Sequence, residues 1–170
     1  MATPPSAPEY WLRGPIEGVP LPLMPAAHAL LQTLEDIERA IEGLSIDQLW
    51  LTPGGAASIG FHLIHLSGST DRLLTYARGL SLNDAQKAAL GKEKNPPRTE
   101  AAALVADVRR TVDAALEQLR ATPPSSLSDA RAVGRAGLPT TVLGLIFHAA
   151  EHSQRHAGQI VTTAKVVRAS

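Results

Sequence analysis

Residues 140–167 carry the longest uninterrupted helical pattern of the chain, which reads TTVLGLIFHAAEHSQRHAGQIVTTAKVV. At about 100° per residue, the side chains of His148, His152 and His156 fall on the same face as the apolar side chain of Leu145. An amphipathic helix turns its apolar face toward the core of its domain. We therefore predict one long helix from Thr140 to Val167, with its histidines directed inward.

Three further helices of about twenty residues are predicted from apolar side chains that recur every three or four positions. The first runs from Pro25 to Leu44, the second from Ser58 to Gly79, and the third from Thr99 to Ala121. Ser45 and Gln48 have the spacing of a capping box, which predicts a short helical turn ending near Trp50. A short helix is also predicted over Asp84–Leu90, inside the connection 81–98.

The fold class predicted from these elements is all-α, because no stretch alternates apolar and polar residues as a strand does. Four long helices indicate a four-helix bundle. The connections 81–98 and 122–139 are long enough to join parallel neighbours, so a crossover topology is at least as plausible as a simple up-and-down order. Residues 1–24 contain six prolines and are predicted to form an extended N-terminal arm before a single bundle domain, residues 25–170.

Composition excludes several kinds of site. The chain of 170 residues contains no cysteine, which rules out disulfides, cysteine-bearing zinc sites, iron–sulfur clusters and a cysteine nucleophile. Lys plus Arg equals Asp plus Glu at 16 each, so no large basic surface for nucleic acid or an anionic membrane is expected. No signal peptide or membrane-spanning stretch is recognised, and we expect a cytoplasmic protein.

Five of the six histidines fall in two clusters, one in residues 61–66 (FHLIHL) and one in residues 148–156. Buried imidazoles are costly unless each ring nitrogen has a partner, and one metal ion can satisfy several rings. Histidines four residues apart on a helix can reach a single ion, with a third ligand, His62 or His65, from the second helix. A single histidine in such a place is more often a core residue, so the prediction of a metal site depends on the two clusters together.

Two segments resemble motifs of the DinB/YfiT-like metalloprotein superfamily: SIGFHLIHLSGS at 58–69 and EHSQRHAGQI at 151–160. The resemblance implies a four-helix bundle in the up-down-down-up order, homodimers, and a metal ion bound by His65, His152 and His156. It leaves His62 and His148 to contact the ligands or the core. Gln159 lies on the histidine face and is expected to orient a ligand or a bound water.

Three neutral imidazoles leave coordination positions open, which is typical of catalytic rather than structural sites. We expect one divalent transition ion, zinc or nickel before iron or manganese. The resemblance extends to transferases that use a low-molecular-weight thiol, so transfer of a thiol cosubstrate to a small electrophilic substrate is the first hypothesis. A metal-dependent hydrolase and a non-catalytic metal-binding stress-response protein are the alternatives, and Arg13 is a candidate for binding an anionic substrate.

Overall fold

The computed structural model describes residues 7–169, and it contains six α-helices and one β-hairpin within that range. Four of the helices are long and form the bundle. The bounds of all six helices are α1 Met24–Ile41, α2 Ile46–Trp50, α3 Ile59–Ala77, α4 Asp84–Lys92, α5 Ala101–Ala121 and α6 Val142–Ala169. The prediction of a mostly helical domain is confirmed, whereas residues 1–6 of the predicted arm and Ser170 lie outside the described residues.

The four long helices surround one apolar core. Helix α6 packs against α1 and α3, and α5 packs against the same two helices, so α1 and α3 lie on one diagonal of the bundle. Of the successive pairs of long helices, α3 and α5 are neighbours, whereas α1 and α3, and α5 and α6, are not. The up-down-down-up order of helix directions stays a prediction. The largest fully buried side chains come from all four helices and include Leu30, Ile37, Leu63, Leu66, Val108, Leu119, Ile146 and Ile160.

Local capping explains where several helices begin. The Ser58 hydroxyl accepts a hydrogen bond from the Phe61 backbone N–H at 3.2 Å and caps α3 at the predicted residue. Ser45 and Gln48 form the predicted capping box at the start of α2. At the end of α2, the Trp50 indole donates to the Thr99 carbonyl at 3.0 Å and lies so close to Gly60 that a Cβ there would meet the ring at 2.7 Å.

The second long connection differs from the prediction, because it contains a hairpin that the sequence pattern did not reveal. Strand β1, Ala130–Val133, pairs antiparallel with β2, Leu138–Thr141. Thr140 therefore belongs to a strand, and the last helix begins two residues later than predicted. The Val142 N–H donates to the Asp129 carbonyl at 3.1 Å, so the hairpin runs directly into the first turn of α6.

The N-terminal arm is only partly extended, since Tyr10–Leu12 and Leu21–Leu23 form 3₁₀ turns. Other differences concern helix ends. Helix α1 stops at Ile41, before Gly43, whose φ of +73° suits glycine and breaks the helix short of the predicted Leu44. No helix in the described range 7–169 combines the length and the apolar character needed to cross a bilayer.

Candidate metal centre

Three histidine rings from two helices converge where α3 packs against α6. His152 and His156 lie one turn apart on α6, and His65 lies opposite them on α3. The His152 Nε2 is 3.2 Å from the His65 Nε2 and 3.2 Å from the His156 Nε2. The ligand atoms that the three residues offer all lie within 4.8 Å of one another. The structure thus brings together the three residues that the resemblance implied as ligands.

The distances fit a transition metal. A tetrahedral zinc ion with Zn–N bonds of about 2.0–2.1 Å holds its nitrogen ligands about 3.4 Å apart, and the two measured Nε2 pairs are separated by 3.2 Å. A neutral imidazole offers one lone pair on its unprotonated nitrogen, and lone pairs that face each other need a proton or a cation between them. The donor set of His65, His152 and His156 therefore fits metal binding.

The packing of α3 on α6 sets the position of the His65 ring along the bundle axis relative to the other two rings. Ser153, fully buried and adjacent to His152 in the chain, has its hydroxyl 3.0 Å from the Thr70 hydroxyl on α3. This contact fixes the register between α3 and α6, and the register determines whether the third ring reaches the first two.

The second nitrogen of each of the three rings also has a partner, and for the His152 Nδ1 it is the Arg155 guanidinium, which can only donate. The Nδ1 of His65 is 2.7 Å from the Oε2 of Glu93, whose other oxygen accepts a hydrogen bond from Arg72 at 2.6 Å. The Nδ1 of His156 is 2.9 Å from the Nδ1 of His62, which is buried. Partners of this kind orient a ligating ring and fix which of its nitrogens carries the hydrogen.

The surroundings of His62, His152 and His156 favour the neutral imidazole. Burial, followed by the positive charges that His152, His65 and His62 would carry, lowers the pKa of His156 to about 3. Burial and then the charge of His65 lower the pKa of both His62 and His152. Arg155, whose guanidinium lies 3.2 Å from the His152 Nδ1, lowers the pKa of His152 further. Neutral rings are the form that binds a metal ion.

The other site residues predicted from the sequence are His148, Gln159 and Arg13. His148 is exposed rather than buried in the stripe, and its Nδ1 is 2.7 Å from the Glu151 carboxylate. Gln159 is also exposed and lines, with His62 and others, an open cleft of about 570 Å³. Arg13 forms an ion pair with Glu35 at 2.8 Å. The roles predicted for His148, Gln159 and Arg13 stay predictions.

Sequence reasoning missed Glu93, the carboxylate that contacts His65. It follows the last residue of the short helix α4, 28 residues after its histidine partner, in a stretch whose other residues are exposed or half-buried. No periodicity connects it to α3. Its only signal is the prediction of a short helix over Asp84–Leu90, which the structure places at Asp84–Lys92 and which brings the chain back to the site.

Comparison with known families gives a match over most of the chain. The family model described as the DinB superfamily matches residues 29–160, a range that contains all three converging histidines. No curated protein is significantly similar to the chain.

Proposed function

The chain belongs to the DinB superfamily, and on that premise we propose that it is a metal-dependent enzyme whose ion is held by His65, His152 and His156. The observation that carries the proposal is the convergence of these three residues, with the His152 Nε2 3.2 Å from the Nε2 of each of the other two and all three ligand atoms within 4.8 Å of one another. The ion is expected to be zinc or nickel, with iron or manganese as alternatives, because three imidazoles suit several first-row metals.

A divalent ion with three imidazole ligands retains open positions and acts as a Lewis acid that lowers the pKa of a thiol or a water molecule. Since the chain has no cysteine, the thiol must come from a cosubstrate. In the proposed reaction, the sulfur of a low-molecular-weight thiol forms a bond to an electrophilic carbon of the substrate. The bond from that carbon to its leaving group breaks, and the thiol proton leaves with that group.

The residues around the three histidines favour a thiol reaction over one that needs a strong protein base. Glu93 is engaged by His65 and Arg72, and Glu151 is engaged by His148 and Arg155. Both carboxylates therefore have partners and do not face a substrate freely. A thiol activated at the ion needs no carboxylate to remove its proton during bond formation, which is why we place thiol transfer before hydrolysis.

The first experiment measures metal content. Purified protein is expected to carry about one divalent ion per chain, and the variants His65→Ala, His152→Ala and His156→Ala should each lose most of it. His28→Ala is the matched control, because the His28 ring bonds the Gly14 carbonyl at 2.9 Å and stands apart from the cluster. Wild-type protein that holds no ion after reconstitution with zinc and nickel would refute the proposal.

The second experiment distinguishes the chemical classes. Cobalt-substituted protein should gain a sulfur-to-metal charge-transfer band when a small thiol is added, and the band should strengthen as the pH rises and thiolate forms. A spectrum that changes with small carboxylates but with no thiol would favour the hydrolase. A spectrum indifferent to every added ligand would indicate a closed structural site and a non-catalytic metal-binding protein.

A further inference from the structure

Glu93 holds an unusual position in the connection between α3 and α5. In the stretch 80–100, which the structure describes in full, Glu93 is the only buried residue. All residues of α4 apart from the half-buried Gln86 are exposed. A connecting helix is ordinarily held by an apolar face, but here the residue inserted into the bundle is a carboxylate.

The surroundings of the Glu93 carboxylate provide a polar partner for each of its oxygens. Its Oε2 lies 2.7 Å from the His65 Nδ1 and its Oε1 lies 2.6 Å from the Arg72 guanidinium, which is itself buried. Gly68, one turn before Arg72 on α3, leaves the necessary room: a Cβ there would lie 2.7 Å from both the Arg72 Nη1 and the Glu93 Oε1. The Glu93 carboxylate is therefore surrounded by the Arg72 guanidinium, a ring nitrogen of His65 and the space left by Gly68.

Little else draws the segment to the bundle at this point. Beneath α4 lies a cavity of about 410 Å³, lined by Ala89 and Glu93 on one side and by residues of α3 and α5 on the other. The Gln86 side-chain amide of α4 also donates hydrogen bonds to Asp71 and Thr75 of α3. Docking of the segment consequently depends on hydrogen bonds and two ion pairs, Glu93 with Arg72 and Arg98 with Asp47, rather than on an apolar surface.

We propose that Glu93 is a positioning residue that fixes the tautomer of His65, and that it thereby links metal binding to docking of residues 80–98 on the bundle. This inference rests on the proposed metal site. An ionised carboxylate can only accept a hydrogen bond, so the neutral His65 ring carries its hydrogen on Nδ1 and donates it to Glu93. The lone pair is then on Nε2, the atom that faces His152.

The linkage follows from the same hydrogen bond. A cation on Nε2 makes the Nδ1–H a stronger donor, which strengthens its bond to Glu93. By thermodynamic reciprocity, the factor by which the docked segment raises metal affinity equals the factor by which metal raises the docking constant.

The first test compares zinc affinity by competition with a chromophoric chelator. Glu93→Gln should weaken zinc binding about 10–100-fold, the usual effect of removing the partner of a ligating histidine. Glu100→Gln is the control, with the same change of charge at an exposed residue of the same connection. Because Glu93→Gln leaves Arg72 without its counter-charge, the double variant Arg72→Met/Glu93→Gln is measured beside it and should show a similar loss. Wild-type affinity in both would overturn the proposal.

The second test reads the tautomer directly. In the metal-free wild type near pH 8, the imidazole ¹⁵N shifts of His65 should show a protonated Nδ1 and an unprotonated Nε2. In the double variant the two tautomers should mix. A purely structural role for Glu93 would leave these shifts unchanged, and that result would contradict the assignment.

The third test follows amide hydrogen exchange in peptides that cover residues 80–98. Saturating zinc should slow their deuterium uptake several-fold in the wild type and in Glu100→Gln, but not in Glu93→Gln at zinc concentrations that still fill its site. Equal protection in all three proteins would refute the linkage. If the wild type binds neither zinc nor nickel, the proposed metal site is refuted. If it binds metal and Glu93→Gln binds it equally well, only the role of Glu93 is refuted.

Discussion

Acidification of the metal-free protein tests whether the fold holds the histidine cluster neutral. His156 has an ordinary pKa of 6.5 in the unfolded chain and a pKa of about 3 in the folded chain, where burial and neighbouring imidazoles oppose its charge. Above pH 6.5 neither state is protonated and the residue does not affect stability. As the pH falls through 6.5, only the unfolded chain takes up a proton, so the free energy of unfolding decreases until about pH 3.

The size of the effect follows from the shift. Each pH unit in this window costs about 1.4 kcal/mol per group, which gives about 2 kcal/mol between pH 6.5 and pH 5. The His156 ring is partly exposed, and solvent screening reduces this to about 1 kcal/mol. The lowered pKa values of His62 and His152 act in the same direction. Carboxylates contribute little here, since their ordinary pKa values lie below this window.

Urea denaturation of chelator-treated protein at about pH 7.5 and about pH 5 measures this loss. The wild type is expected to lose about 1 kcal/mol more than His156→Gln, which has no imidazole to titrate. His28→Gln serves as the control and should lose as much as the wild type, because His28 lies outside the cluster. An equal loss in the wild type and His156→Gln would refute the reasoning.

Two other predictions concern packing and assembly. Gly60→Ala should lower the free energy of unfolding by about 1–2 kcal/mol, because overpacking against Trp50 outweighs the gain in helix propensity. Gly158→Ala should raise the free energy of unfolding by about 0.5–1 kcal/mol, because a Cβ at that position meets nothing within 4 Å. Urea midpoints decide both, and equal midpoints for the two variants would contradict the contact described for Trp50. The family resemblance predicts a homodimer, and light scattering at micromolar concentration that gives the mass of one chain would rule it out.

Features encoded by neighbouring residues could be predicted from the sequence. The apolar stripes locate the four long helices, and the side chains of Ser45 and Ser58 cap their helices as their spacing predicts. Helical geometry predicts that histidines four apart share a face, but His148 and His152 have the same spacing as His152 and His156, so the choice of the second pair came from the family motif. The choice of His65 over His62 came from the family motif, because α3 presents both rings near α6 and periodicity does not separate them.

Features that depend on distant pairing could not be predicted. Strands β1 and β2 have four residues each, Pro139 lies within β2, and their stability comes from pairing with each other and from the chain entering α6. Such short segments do not show the alternation that identifies a longer strand. Glu93 could not be predicted for the same reason. It contacts His65 because α4 returns the chain to α3, and no local sequence pattern encodes that return.

The separation of the ligands along the chain determines how an ion would act on the folding equilibrium. His65 and His152 are 87 residues apart, and closing a loop of that length in an unfolded chain costs roughly 4–5 kcal/mol of conformational entropy. The unfolded polypeptide can offer an ion the adjacent pair on residues 152 and 156, but it gathers the third nitrogen only at that entropic cost. The ion therefore binds the native state selectively and stabilises it by mass action. A disulfide, by contrast, stabilises largely by restricting the unfolded chain, so this cysteine-free protein would have a cross-link that a chelator removes without breaking a covalent bond.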